Sequence, residues 1–208
     1  GLLTFLGNHD FGRFSMFVRQ NAGTDDPDEL LARTKLGHAM MFTLRGVPTV
    51  YYGDEQGFIS DGNDQLARED MFPSKVDFYN DNDLLGTDAT TADDNFDTAH
   101  PLYRLIGELS QLRLSNPALK HGLTTIRGFD HEGPGLLAVE RVDPETRQRV
   151  LIAFNTSGES IIRHIEVDYR ARGLVSLSGS CPVSVTAPGT AKLELPPFGW
   201  AACELVDR

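Results

Sequence analysis

Three adjacent polar side chains, Asn8-His9-Asp10, close the short apolar run Leu3-Thr4-Phe5-Leu6-Gly7. All three form hydrogen bonds and two of them titrate. A second burst, Gly53-Asp54-Glu55-Gln56-Gly57, closes Val47-Pro48-Thr49-Val50-Tyr51-Tyr52 in the same manner. Barrels and α/β sheets present functional groups at the carboxyl ends of their strands. An Asn or Asp in such a place also serves simply to cap a turn or a helix. Asp54 and Glu55 offer a tempting acid/base couple. Neighbours on a strand point to opposite faces, however, so the two would not flank one bond, and that reading is rejected.

The elements that must hold these groups are legible around them. After Phe11-Gly12-Arg13-Phe14 the chain reads as a polar loop through Asn21-Ala22-Gly23-Thr24. A helix then starts with Asp25-Asp26 as cap, Pro27 at the first position and Asp28-Glu29 where the helix dipole favours acids. Leu30, Leu31, Leu36, Met40, Met41 and Leu44 form its body and Gly46 ends it. Val47–Tyr52 follows as a buried strand with proline near its start. Strand, helix, strand predicts a βαβ unit, with parallel strands and both polar ends on one face.

Residues 58–100 are rich in Gly, Asp and Asn and show little periodicity; a loop of that length is usually functional or disordered. Within it, Asp81-Asn82-Asp83-Leu84-Leu85-Gly86 has the look of a calcium loop. Leu85 and Ala92 occupy positions where oxygen ligands are needed, which excludes one. A second helix is expected from Pro101 to Asn116, stopped by Pro117. Beyond it, short strands are expected at 136–142, 149–155, 161–167, 174–178, 182–187, 191–195 and 200–206. Turn clusters separate them, which predicts an antiparallel sandwich.

The net charge of −11 is uneven. Residues 1–117 carry nineteen Asp/Glu against nine Lys/Arg, whereas residues 118–208 carry eleven against ten. The break coincides with the change of texture and supports two domains, 1–117 and 118–208. An acidic surface argues against nucleic acid and anionic membrane as partners, since phosphate binding needs clustered cations. No apolar run approaches the roughly 20 residues of a membrane span. Cys181 and Cys203 could pair, but read more simply as two small buried apolar residues, which leaves the compartment open. The chain opens inside a strand-like run without a methionine, and is expected to be a fragment or a processed piece.

The order of these features resembles the α-amylase family, glycoside hydrolase family 13. Leu3-Thr4-Phe5-Leu6-Gly7-Asn8-His9-Asp10 is similar to its fourth conserved region. Gly46 through Gln56 resembles its eighth barrel strand, and Gly62-Asn63-Asp64 with Arg68-Glu69 the loop after that strand. Val150-Leu151-Ile152-Ala153-Phe154-Asn155 and Leu195-Pro196-Pro197-Phe198-Gly199-Trp200 look like strands of its carboxyl-terminal β-domain. The resemblance implies a fold of α/β plus all-β class. Residues 1–117 would be the end of a (β/α)8 TIM barrel, strands seven and eight with their helices, and residues 118–208 a Greek-key antiparallel β-sandwich.

The same resemblance implies chemistry. Retaining glycoside hydrolysis needs a carboxylate nucleophile and a carboxylic acid roughly 5–5.5 Å apart. In the family these precede the region that this chain matches. Asp10 would be the third carboxylate, the transition-state stabiliser. His9 and Asn8 would bind the same sugar, and Asp64 and Arg68 one a unit or two away. Arg13 would be structural. The chain alone would be inactive, with the rest of the barrel and an α-glucan or oligosaccharide as its partners and self-association through open strand edges as a consequence. No cofactor is expected in this chain; calcium would belong to the parent. The alternative is a non-catalytic, amylase-like binding or assembly protein.

Overall fold

The computed structural model describes residues 1–181 and 184–207. The chain divides into two compact units, one formed by Gly1–Phe42 and Gly46–Leu109, the other by Thr43–Arg45 and Ser110–Arg208.

The first unit contains β1 (Leu3–Thr4), α1 (Phe14–Asn21), α2 (Pro27–Thr43), β2 (Val47–Pro48) and the start of α3 (Pro101–Ser115). β1 and β2 run parallel, with Leu3 opposite Val47 and Thr4 opposite Pro48. Among the described residues this is the single parallel pair, and there is no closed barrel. Both strands are shorter than the expected runs. Beyond Thr49 the chain turns through Gly53, at φ 87°, into a 3-10 turn at Asp54–Gln56. The expected burial of Val47–Tyr52 is also corrected: Val47 and Tyr52 are exposed, because each strand has one partner and nothing covers the pair. Gly46 makes the return into β2 possible. At φ 134° it sits against Thr4, whose Oγ1 would lie 1.8 Å from any added Cβ.

α1 replaces the expected polar loop after Phe14. Phe14, Phe17 and Val18 recur at helical spacing, and the turn residues around Gly23 end the helix rather than abolish it. The Phe14 ring lies over Gly37 of α2, where a Cβ would come within 2.3 Å of its Cε1. α2 starts as expected: the Asp26 carboxylate accepts the Asp28 N–H at 3.1 Å, with Pro27 between them. Met16, Leu30, Ile59 and Leu85 form a small core with Phe17, Val18 and Leu31 against it.

The 58–100 segment has little regular structure and is nonetheless tightly tied. Phe58 and Ser60 are fully buried, Leu85 N–H donates to the Gly57 carbonyl, and Asn95 N–H donates to the Met71 carbonyl. His100 closes the segment. Its Nδ1 lies 3.2 Å from the Leu102 N–H and accepts from it, so Nε2 carries the hydrogen that meets the Leu85 carbonyl at 3.0 Å. The 81–92 stretch is a tight turn bridged between Asp83 and Thr90.

Among the described residues the second unit adds α4 (Pro117–His121) and eight strands: β3 (Leu123–Phe129), β4 (Leu136–Val142), β5 (Arg149–Asn155), β6 (Ile161–Glu166), β7 (Gly173–Gly179), β8 (Ser184–Ala187), β9 (Thr190–Leu195) and β10 (Trp200–Val206). Pro117 does end α3, and it then opens α4 at a position where its missing N–H costs nothing. The strands form two antiparallel sheets, β3-β4-β5-β10-β7 and β6-β9-β8. Inward residues of both meet in one core that includes Leu136, Leu151, Ile165, Leu193, Ala201 and Cys203. β3 was not expected. It is an edge strand whose residues are mostly exposed, so it lacks the apolar alternation that marks its neighbours. Of the strand expected at 182–187, Pro182 and Val183 lie outside the described residues.

Cys181 and Cys203 are joined in a disulfide, with Cα atoms 6.1 Å apart. The simpler reading of two unpaired apolar cysteines is therefore overturned. Burial was the right environment for Cys203, but the fold also brings Cys181 against the same core.

Candidate active site

Asn8 organises the loop that presents His9 and Asp10. Its backbone exchanges two hydrogen bonds with Gly12, at 3.1 and 3.0 Å. Its side-chain Oδ1 accepts the N–H groups of Asp10 and Phe11 at 2.9 and 2.7 Å. Asn8 is thus occupied in shaping the turn, the role that Asn plays through a local side-chain-to-backbone bond. Gly7 fits only without a side chain, since a Cβ would sit 2.5 Å from the Gly12 carbonyl oxygen.

The turn places His9 Nε2 3.2 Å from Asp10 Oδ1 at an open surface, with the Asp10 side chain 72% exposed. Arg68 approaches from the turn that follows Asp64. Its Nε donates to the His9 carbonyl at 3.3 Å and its Nη2 lies 3.6 Å from Asp10 Oδ1. The same Nη2 donates to Asp64 Oδ1. Asp64 adopts a left-handed φ of 51°, a conformation that Asp tolerates better than most residues and that turns its carboxylate towards Arg68. Four of the five residues expected to touch sugar (His9, Asp10, Asp64 and Arg68) therefore form one exposed cluster, and Asn8 supports it.

A second cluster is built around Arg13, whose side chain and that of Glu69 are fully buried. Arg13 Nη1 donates to the Tyr52 carbonyl at 2.6 Å and to Asp54 Oδ1 at 3.3 Å, while Nε donates to Glu69 Oε2 at 3.2 Å. Its guanidinium stacks on Tyr51 and Phe58, 4.5 and 4.9 Å from the ring centroids. Burial raises Asp54 to about 6 in spite of Arg13, and raises Glu69 in the same sense against the same cation. This buried anchor was expected to be structural only at Arg13. Its partners, 41 and 56 residues away, carry no local signal that joins them to it.

The rejection of Asp54 with Glu55 as a reacting couple also needs a different ground. They lie in a 3-10 turn rather than on a strand, so strand alternation does not apply. What removes Asp54 from surface chemistry is its burial against Arg13. Among the described residues, no group of three or more His, Cys, Asp or Glu side chains is placed to hold a metal ion. No helix among them is long and apolar enough to cross a membrane.

Comparison with known proteins bears on what this surface is. The model of the α-amylase catalytic domain matches residues 2–122, well over half of the chain. The chain belongs to the α-amylase family. Its curated relatives include an α-amylase of Streptomyces lividans, 46% identical over 156 residues that cover 75% of this chain and 17% of that protein. A cyclomaltodextrin glucanotransferase of Bacillus sp. (strain 1-1) is 33% identical over 130 residues, covering 62% of this chain and 14% of the relative. The chain thus spans about a sixth of the length of such relatives. Among solved structures, an AmyP variant in complex with maltotriose shares the fold at a TM-score of 0.70 and 20% identity, over 98% of this chain and 40% of that one. Family members so described include both hydrolases and glucanotransferases.

Proposed function

We propose that this chain is the carboxyl-terminal part of a retaining, α-glucan-active glycosidase or transglycosylase. Residues 1–117 are the last strands and helices of its (β/α)8 barrel, and residues 118–208 its Greek-key β-domain. Asp10 stabilises the oxocarbenium-like transition state, and His9 binds the same ring. Asp64 and Arg68 bind a sugar one or two units away, while Asn8 holds the loop.

The observation that carries this reading is the position of Arg68, with one nitrogen on the His9 carbonyl and another reaching both Asp10 and Asp64. Two motifs more than fifty residues apart in the chain thereby meet at one polar surface. Fixed charges and planar donors aimed at sugar hydroxyls are what transition-state binding of a glycoside requires. The nucleophile and the proton donor belong to a segment outside these residues. In the exposed cluster both carboxylates turn onto one guanidinium, and neither faces the other across an open bond site. Leu2, Leu3, Phe5 and Val47 stand exposed around the β1–β2 pair, the surface that further barrel strands would cover and that would otherwise associate.

The test is reducing-sugar release from starch by the 208 residues alone and by the same chain preceded by its upstream barrel. The isolated chain is expected to be inactive and the extended protein active. Strong turnover by the isolated chain would overturn the assignment.

A further inference from the structure

The sequence holds one Asp-Gly bond, Asp61-Gly62, and no Asn-Gly bond. It lies in the turn that leads to Asp64 and Arg68, and Asp61 is exposed. An aspartate followed by glycine carries a reaction within its own backbone. The Gly62 amide nitrogen can attack Asp61 Cγ, because no Cβ stands beside that nitrogen to obstruct the approach. A Cγ–N bond forms and a Cγ–O bond breaks. Water leaves, made of the carboxyl hydroxyl and the amide hydrogen. The five-membered succinimide then takes up one water. Where its ring opens at the Asp61 main-chain carbonyl, the chain continues through Cγ as isoaspartate. Mass and charge are unchanged, nothing is oxidised or reduced, and the backbone is one methylene longer.

The fold restrains the first step. The Gly62 N–H donates to Ser60 Oγ at 3.2 Å, so the attacking nitrogen is already engaged and freeing its hydrogen means breaking that bond. Ser60 is itself fixed. It is fully buried at a left-handed φ of 69°, and its hydroxyl hydrogen is shared between the carbonyls of Leu66 and Gly62, at 2.7 and 2.8 Å. A residue other than glycine keeps such a conformation only where its surroundings over-determine it. Ser60 Oγ thus holds both the N–H and the carbonyl of Gly62, which fixes the peptide planes on either side of that residue. The Asp61 carboxylate, in contrast, has no hydrogen bond or ion pair among the described residues. The electrophile is free to turn and the nucleophile is held.

We propose that Asp61-Gly62 is a site of spontaneous isoaspartate formation whose rate in the folded protein is held down by the Ser60 hydroxyl. The inference stands apart from the reading of the exposed cluster as a sugar site. Conversion inserts its methylene between Ser60 and Asp64, inside the stretch that Ser60 ties at Gly62 and at Leu66. The modification therefore loosens the segment that carries Asp64 and Arg68.

The experiment incubates the whole parent protein at neutral pH, folded in buffer and unfolded in concentrated guanidinium. Isoaspartate is read by methyl transfer from a protein-isoaspartate methyltransferase, and peptide mapping assigns it to position 61. The unfolded chain is expected to convert there, and the folded protein about two- to tenfold more slowly, the factor that one hydrogen bond of ordinary strength makes. Ser60→Ala, shown by its melt to be folded, should move towards the unfolded rate. Ser60→Gly also lacks the hydroxyl and suits a φ of 69°, so it serves where the alanine variant does not fold. Asp61→Glu should remove the signal, since its ring would need six members. Equal rates in the folded and unfolded protein would overturn the proposal. So would a folded Ser60 variant that converts as slowly as the unsubstituted protein, or an unfolded chain that forms no isoaspartate at position 61.

Discussion

Arg13 and Glu69 form an ion pair with no exposed atoms on either side chain, Nε to Oε2 at 3.2 Å, directly beneath the exposed pair of Arg68 and Asp10. Arg68 and Glu69 are consecutive, and Arg13 follows Asp10 by three residues. The same two chain segments are thus joined twice, once in the interior and once at the surface. The inner pair fixes the distance between the segments, and the outer pair faces the solvent.

Removing one partner of the inner pair leaves an uncompensated buried charge. Glu69→Ala is expected to lower unfolding free energy by about 3–5 kcal/mol, the usual consequence of breaking a buried pair from one side. Arg68→Ala, at the exposed pair, should change it by less than about 1 kcal/mol. Guanidinium titration of the two variants measures both. Equal losses would show that the two layers are not distinct.

In the parent enzyme, Asp10→Asn is expected to lower kcat on maltooligosaccharides by about 10²- to 10³-fold, as loss of a transition-state contact does. Arg68→Ala is expected to act chiefly on KM. Steady-state kinetics on one substrate series separates the two. A rise in KM alone for Asp10→Asn would place Asp10 in ground-state binding instead.

The pH dependence of stability should show two opposed contributions. Burial raises Asp54 to about 6, so the folded state binds this proton more tightly than the unfolded chain does. Its contribution to stability is therefore greatest below about 4 and falls as pH rises to about 6. Burial lowers His38 to about 4, so the folded state resists that proton. Stability from His38 is present above about 6.5 and is lost as pH falls towards about 4. Across the interval the two largely cancel. Asp54→Asn should therefore unmask a stability that rises with pH between about 4 and 6.5, and His38→Leu one that falls. Denaturant midpoints of both variants across that range are the measurement, and parallel profiles would contradict it.

How much of this was legible beforehand depended on how local each signal was. The cap at Asp26-Pro27, the body of α2 and most strands of the sandwich announce themselves within a few residues, through propensity and periodicity. The exposed cluster was legible through motif order, because Asn8-His9-Asp10 and Asp64 to Arg68 each form a compact pattern. What escaped was either masked or remote. α1 was hidden by the turn residues around Gly23, and β3 by its place at a sheet edge. The Arg13 cluster draws Asp54 and Glu69 from distant segments, and only folding brings them together. The disulfide was open for the same reason: sequence supplies two cysteines, and the fold supplies their approach.

With its ends 22 positions apart in sequence, that disulfide should contribute about 3 kcal/mol by restricting the unfolded chain. Thiol titration of the native protein should find no free cysteine, and Cys181→Ala with Cys203→Ala should lower the denaturant midpoint accordingly. A midpoint that does not move would mean that the bond restrains nothing that the core does not already hold.

The Cys181–Cys203 bond also closes a covalent ring around β8 and β9, with the turn at Pro188-Gly189 at its far end. A protease that cuts once inside that ring opens the backbone without releasing a piece. The nicked molecule keeps its full mass until a reductant is added, and only then does it part into two. Damage to the hairpin is thus converted from loss of a strand into a silent break.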